Sequence, residues 1–501
     1  MSPEDLSRDK RIAKNTLMLY FRMFFLLLIG LYTSRVVLAA LGEHDYGVYN
    51  VIGGVVSMFA IISGTMNAAV SRFITFELGK GTEAQINKVY STAVVIQFSI
   101  ALLIVILAEP AGLWFIENRM SIAPERIQAA KWVLHFSLFA FAVNIMSVPQ
   151  MAMITAHEKM SAYAVIGIMD GLLRLGVALV VMHAGFDRLI LYAALMAFSI
   201  TLVRIAYGFY CRRHFPDYRF SVSFDASLLK EMSSFAGWNV IGVTSGVLRD
   251  HGGNLLINVF FDTTVNAARG IAIQLNGALQ NFVTNFMTAV NPQITKSYAS
   301  GDKDYMFSLI RKASRLSFYL LLVLAMPVLF NTEYFLGLWL KDVPAHSCLF
   351  VRLILLLTLS ECISGPMMTA QLATGKIRDY QIVVGGLIML NFPVSYICLK
   401  MGAMPESTVV VAIVIAHICY FARMIMLRKM IGLSAWRMLR VYANVMLTGF
   451  VAAAAAFLLP EMHPLLDALC CVLVGAASVA FVGCRRSERK EIVTFMKKRF
   501  K

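Results

Sequence analysis

The chain has 501 residues, of which 59% are apolar and only 15% charged, with a mean hydropathy of +0.70. That balance excludes a soluble multidomain protein and describes a polytopic membrane protein. The formal charge of +16 does not point to nucleic acid, because the basic residues form short clusters between apolar stretches instead of one basic soluble face.

In chain order, a charged start over residues 1–14 leads into an apolar run with no small-residue cleavage site, so it reads as an uncleaved first span. Apolar runs bounded by charged or turn-forming loops predict about fourteen transmembrane helices, at 15–40, 46–76, 89–116, 127–153, 160–183, 188–211, 232–261, 265–295, 307–331, 346–373, 379–401, 407–430, 438–459 and 463–484. A bilayer core of about 30 Å takes roughly 20 such residues per helix, whereas a barrel would alternate polar and apolar residues in segments of about ten.

Most of the Lys and Arg gather at one set of loops. They include Arg8, Lys10, Arg11 and Lys14, then Arg212 and Arg213, then Arg311, Lys312 and Arg315, and finally the basic tail 485–501. The opposite loops carry Glu43, Asp45, Glu117, Asp187, Asp262, Glu333, Glu461 and Asp467. Both termini are therefore expected in the cytoplasm, and the same orientation rule accounts for the tail without an anionic ligand. No loop is long enough to fold separately. The eight cysteines lie mostly within or at the ends of spans, without metal-ligand spacing, and read as small apolar residues.

A shift of 221 residues lays the first span on the seventh and the second on the eighth. Met66 to Phe73 then falls on Met287 to Ile294, each followed by a short Gly-containing segment. Six helices is an even number, so the halves share one orientation, the parallel-repeat plan of alternating-access transporters. The expected organisation is a six-helix lobe over 1–213, a linker over 214–231, a second lobe over 232–431, two extra helices over 432–484, and the tail.

Arg22, Arg35, Arg174, Arg204, Arg249, Arg269 and Arg352 fall inside predicted spans, against chiefly Asp170, Asp250 and Glu361. A central Arg costs about 2.5–3.5 kcal/mol on insertion scales, so such residues are expected to face a cavity or a partner. Asp170 and Arg174 are one turn apart and are expected to pair. Arg204, Arg269 and Arg352 lie near helix ends, where they can snorkel. Arg22 and Arg249 are the leading cavity cations, and Arg35 shares a face with Arg22 only if Gly30 permits a bend. The run Arg249-Asp250-His251-Gly252-Gly253-Asn254 reads as a locally weakened helix lining water, with Asp250 or His251 available to carry a coupling proton. Gln274, Asn276, Gln280, Asn281, Asn285 and Asn291 in the eighth span, with Asn50 in the second, suit either interhelical glue or a wall that hydrogen-bonds sugar hydroxyls. No nucleotide-binding loop, zincin motif or nucleophile elbow is present, so neither catalysis nor a cofactor or metal is expected.

The first-span entry Lys14 to Leu17, the stretch Leu41 to Asn50, the run Phe235 to Asn239 and the end Asn291 to Ile294 resemble the multidrug/oligosaccharidyl-lipid/polysaccharide exporter superfamily, and its polysaccharide (O-antigen type) flippase branch in particular. The resemblance covers nearly the whole chain through loose motifs. It implies two six-helix lobes flanking a V-shaped cavity, plus two C-terminal helices, in a bacterial cytoplasmic membrane. The implied activity is movement of an undecaprenyl-diphosphate-linked oligosaccharide by alternating access, with Arg22, Arg249, Arg35, Arg174 and Arg269 toward diphosphate and the amides toward sugars. The implied partners are this lipid-linked substrate, membrane lipids, a polysaccharide polymerase and glycosyltransferases, not nucleic acid. Two rivals stand beside this reading. A cation-coupled exporter of the multidrug and toxin extrusion branch typically carries an intramembrane acid in its N-terminal lobe, where the first span here has Arg22 and Arg35. A membrane polymerase or ligase usually needs a large outer loop.

Overall fold

The computed structural model describes residues 3–484 except 58, 81–82, 121, 217, 219, 222–224, 341 and 461–462. The expected basic tail 485–501, and Glu461 of the expected outer loops, lie outside the described residues. Among those described, all regular structure is helical. The long helices are α1 (Pro3–Ser57), α2 (Ala60–Lys80), α3 (Glu83–Asn118), α4 (Ile127–Met146), α5 (Val148–Ala156), α6 (Met160–Met182), α7 (Arg188–His214), α8 (Ala226–Phe260), α9 (Thr263–Ala299) and α10 (Lys303–Phe330). There follow α11 (Thr332–Trp339), α12 (Ser347–Cys362), α13 (Gly365–Ala373), α14 (Arg378–Lys400), α15 (Ser407–Ile431), α16 (Ala435–Phe457) and α17 (Pro464–Gly483).

Every predicted span is occupied by helix, with the second, fourth and tenth each in two pieces, formed by the end of α1 and α2, by α4 and α5, and by α12 and α13. Among the described residues, ten helical segments are long and apolar enough to cross a membrane, and eleven if α12 and α13, bent by 40° at their junction, are taken as one. The second, seventh and eighth predicted spans fall short of that composition. Their interiors carry the polar side chains singled out above, including Arg249, Asp250, Gln274 and Asn276.

Two local expectations are corrected. The first and second spans meet at the expected boundary, where α1 consists of two helices joined without a loop at a kink at Gly42, at φ 74° and ψ 170°. That left-handed φ is one that glycine adopts without a Cβ penalty. Gly30, by contrast, is helical, so α1 supplies no bend between Arg22 and Arg35. Thirteen residues at about 100° each leave the two about 140° apart around the helix.

The second correction concerns Arg249 to Asn254, which lies within unbroken α8. Its glycines serve close approach instead of weakening. A Cβ on Gly252 would lie 2.6 Å from the Phe392 ring, and one on Gly253 would collide with the Arg269 guanidinium.

The chain divides into two compact units, residues 1–240 with 295–301, and residues 241–294 with 302–501. In the first unit, Val133, Leu134, Leu138 and Ile145 of α4 pack with Ile104 and Ile116 of α3 and with Val48 and Ile52 of α1. A second cluster joins Val36, Val37 and Ala40 to Val177, Ala178 and Val181 of α6. On α1, Leu17, Phe21, Phe24, Leu28 and Leu31 recur at helical spacing and are all more than half exposed, the face a lipid-embedded helix turns outward. At one end of this unit Arg126 joins two of the expected outer-loop acids, donating to both Asp45 and Asp187.

In the second unit, Phe350, Val351, Ile354 and Leu355 of α12 pack with Val409, Ala412 and Ala416 of α15 and with Ala268 and Ala272 of α9. The appended helices α16 and α17 pack on α10. The Tyr319 hydroxyl of α10 donates to Asn444 Oδ1 at 2.5 Å and sits 3.1 Å from the Gly483 carbonyl.

Candidate functional site

Intramembrane charge is concentrated in one cluster in each unit. In the first, Tyr163, Gly167, Asp170 and Arg174 occupy one face of α6 by their spacing of four, three and four residues. Arg22 of α1 lies against that face. Its guanidinium is 4.4 Å above the Tyr163 ring centroid, in space that a Cβ on Gly167 would occupy. Its Nε is buried without a hydrogen-bond partner among the described residues. Arg174 Nε donates to Asp170 Oδ1 at 3.1 Å, the expected one-turn pair.

Arg204 of α7 completes the cluster. Its guanidinium lies 5.5 Å from the Tyr207 ring centroid and donates to the Met151 sulfur at 3.7 Å. Helices α1, α6 and α7 thus carry three guanidinia and one carboxylate in this region, and of these only Arg174 and Asp170 form an ion pair. A transmembrane helix bears such an excess when the site faces water or receives an anion.

In the second unit a cavity of about 220 Å³ is lined by Arg249 and Asp250 of α8, Arg269, Asn276 and Gln280 of α9, Thr358 and Glu361 of α12, and Asn391 and Thr408. Arg249 donates through Nη1 to Glu361 and through Nε to Asp250 Oδ1 at 2.9 Å. Arg269, only 6% exposed, does not snorkel. It reaches α8 through Nη1, donating to Asn254 Oδ1 at 2.8 Å and to the Asp250 carbonyl at 3.2 Å. Here two guanidinia meet two carboxylates, so an anion entering the cavity competes with Asp250 and Glu361 for Arg249. Arg269 Nε and Asn276 Oδ1 are buried without a hydrogen-bond partner among the described residues.

The amides of α9 divide between faces. Arg269, Ile273, Asn276, Gly277 and Gln280 form one helical stripe along the cavity. Gln274, Asn281 and Asn285 lie about 120–160° around the helix from Arg269 and do not line it. Asn285 Nδ2 donates to the Asn281 carbonyl at 2.8 Å, so this amide is spent within its own helix. Asn291 Oδ1 accepts from Thr369 at 2.8 Å, which is interhelical glue. Asn50, Arg35 and His251 are exposed. Arg352, also expected to snorkel, is held by both Glu333 oxygens at 2.9 Å and by the Leu329 carbonyl at 3.2 Å.

Arg204, Tyr163 and Tyr207 of these clusters are not among the site residues expected from sequence, whereas Arg269 is. Arg204 and Arg269 were both expected to snorkel because sequence gives height along a helix but not the partner beside it. Tyr163 and Tyr207 carried no signal beyond their helical spacing from charged neighbours. Glu158, at φ 58° in the turn after α5, is a further case. Its carboxylate is 1% exposed and accepts from Lys296 Nζ at 2.6 Å, with Arg11 at 3.9 Å. Beside it, burial holds His157 below its ordinary range, and the nearby Lys296 and Lys159 act in the same direction. Among the described residues no group of three or more His, Cys, Asp or Glu is arranged to hold a metal.

Residues 12–298 match the model of a family described as polysaccharide biosynthesis protein. Solved structures share the fold over most of their length. One is a MATE transporter in its bent conformation, with a TM-score of 0.72 at 12% identity, covering 88% of this chain and 97% of that one. Another is an outward-facing multidrug resistance MATE family transporter of the MOP superfamily, with a TM-score of 0.68 at 12% identity, covering 87% and 96%. A third is a MOP superfamily transporter from Pyrococcus furiosus described as having a binding pocket of reverse polarity, with a TM-score of 0.69 at 10% identity, covering 86% and 96%. No curated protein matches the chain by sequence.

Proposed function

The chain belongs to the family of polysaccharide biosynthesis proteins, and from that footing we propose that it moves a diphosphate-linked lipid oligosaccharide across the bacterial cytoplasmic membrane by alternating access. The observation that carries this reading is the excess of Arg22, Arg174 and Arg204 over the carboxylate of Asp170, with Arg22 and Arg204 held against tyrosine rings, within helices apolar enough to span. Guanidinium offers parallel donors that match phosphate oxygens, and the hydroxyl-bonding capacity of Asn276 and Gln280 suits a sugar.

A cationic drug calls for the opposite polarity. The archaeal relative is described as having a reversed pocket, and the excess of arginine here argues in the same sense against a cation exporter. The proposed substrate is made by glycosyltransferases on the cytoplasmic side and consumed by a polymerase outside, with both termini of this chain cytoplasmic. The chain itself transports and makes no bond.

The test is a deletion strain complemented with wild-type or variant genes. Loss of the gene is expected to accumulate lipid-linked glycan on the inner leaflet and to leave drug resistance unchanged. Arg22→Ala, at normal protein level, is expected to restore little export. A deletion that sensitises cells to cationic drugs while glycan export continues would overturn the reading in favour of the multidrug exporter.

A further inference from the structure

The Arg249 cavity of the second unit, at about 220 Å³, is smaller than the roughly 300–1,000 Å³ of sites for drug-sized ligands. It has room for one small ring. Its charges also balance: Arg249 is committed to Glu361 and Asp250, and Arg269 to Asn254 Oδ1 and the Asp250 carbonyl, so two guanidinia accompany two carboxylates. We propose that this cavity is a binding site for a single uncharged sugar residue. That the residue belongs to a transported glycan rests on the function proposed above.

An anion entering here must draw Arg249 away from its carboxylates, and a cation must draw a carboxylate away from Arg249. Either exchange strands a charge that the pair now neutralises. A neutral ligand leaves the pairs intact and meets what the cavity offers unpaired, which is one donor and one acceptor. Arg269 Nε and Asn276 Oδ1 are buried without a hydrogen-bond partner among the described residues, two turns apart on the stripe of α9 that lines the cavity. A phosphate oxygen serves the donor and an ammonium the acceptor, whereas a hydroxyl both donates and accepts. A ring bearing several hydroxyls therefore answers both groups. Thr358 and Thr408, also in the lining, donate their hydroxyl protons to the Ile354 and Pro405 carbonyls at 3.0 Å each, which leaves their oxygens as acceptors for further ligand hydroxyls.

Gly277 keeps the space open. It lines the cavity directly after Asn276, and a Cβ built on it would meet nothing within 4 Å. A helix interior is more stable with almost any residue other than glycine or proline, so the stability of α9 does not account for its presence. A side chain at this position takes up volume that the ring needs.

The experiment uses the full-length protein in lipid nanodiscs and saturation-transfer NMR. The probes are the methyl glycosides of glucose, galactose, mannose, rhamnose and N-acetylglucosamine, with methyl glucuronide as the charged counterpart. Wild type is expected to bind at least one uncharged glycoside, and methyl glucuronide more weakly. Gly277→Leu is expected to abolish that binding by filling the cavity. Asn276→Leu, which keeps the volume and removes the acceptor, supplies the second reading and is expected to weaken binding about two- to tenfold, as loss of a neutral hydrogen bond implies. Glu361→Gln, by freeing Arg249, is expected to raise binding of methyl glucuronide. Wild-type binding of methyl glucuronide as tight as or tighter than that of every uncharged probe makes the cavity an anion site and overturns the proposal. So does uncharged binding that both Leu variants retain in full, or the absence of any binding to wild type. No transport enters this measurement, so it stands or falls separately from the complementation test of export.

Discussion

Arg249 on α8 donates to Glu361 on α12, a pairing across 112 residues, while Asp250 beside it holds the other edge of the same guanidinium. Removing the cation leaves two carboxylates facing one cavity. Arg249→Ala is therefore expected to lower the yield of folded protein, and adding Glu361→Ala to recover part of it. Thermal unfolding of the four proteins of this double-mutant cycle should give a coupling of about 1–3 kcal/mol. Additive losses would mean that the pair is not energetically linked. Glu361→Gln, which keeps the shape and removes the charge, is expected to tighten binding of diphosphate by freeing Arg249.

In the first unit, Arg204→Ala and Arg204→Lys separate two roles. If the guanidinium contributes to anion binding, Ala should reduce export roughly ten- to a hundredfold, the size of a lost charge-assisted contact, and Lys should restore only part. Equal export by both at equal protein level would remove Arg204 from the site.

Gly252→Ala tests the close approach of α8 to Phe392. With the ring only 2.6 Å from the added methyl, one of the two helices must shift. The expected cost is about 1–3 kcal/mol of stability, read as a lowered unfolding temperature. An unchanged midpoint would show that the ring rotates away freely.

His157 predicts a pH dependence. Its folded-state pKa lies below the ordinary 6.5 because burial disfavours the cation, so the unfolded chain takes up this proton first as pH falls. Its contribution to stability is then constant above about pH 6.5 and declines between that value and the folded pKa. Unfolding temperatures of wild type and His157→Asn, compared at pH 7.5 and 5.5, should show the wild type losing more on acidification. Parallel curves would place the proton elsewhere.

How much of this was legible depended on the kind of information needed. Helical stretches followed from the apolar runs, since a run of about 20 such residues admits little else, and the Asp170–Arg174 pair followed from one-turn spacing alone. The break at Gly42 also followed, since it falls in the charged, turn-forming stretch between the first two apolar runs, whereas only the backbone shows that Gly30 stays helical. Gly252 and Gly253 misled for a related reason: as a local string they suggest weakness, and the Phe392 ring and Arg269 side chain they accommodate come from α14 and α9. Glu158 was hidden within a short polar turn. Its burial depends on Lys296, 138 residues later.

The placement of Arg22 also bears on how the chain is made. Tyr163, the ring it stacks on, is synthesised roughly 140 residues later, which at about 5–20 residues per second is a delay of about 7–30 seconds. During that interval α1 has entered the bilayer and α6 does not yet exist. Leu17, Phe21, Phe24, Leu28 and Leu31, on the outward face, must therefore hold the nascent helix in the membrane against an arginine that has no aromatic surface to rest on. Polar substitutions along that stripe should fail at insertion, before any question of transport arises.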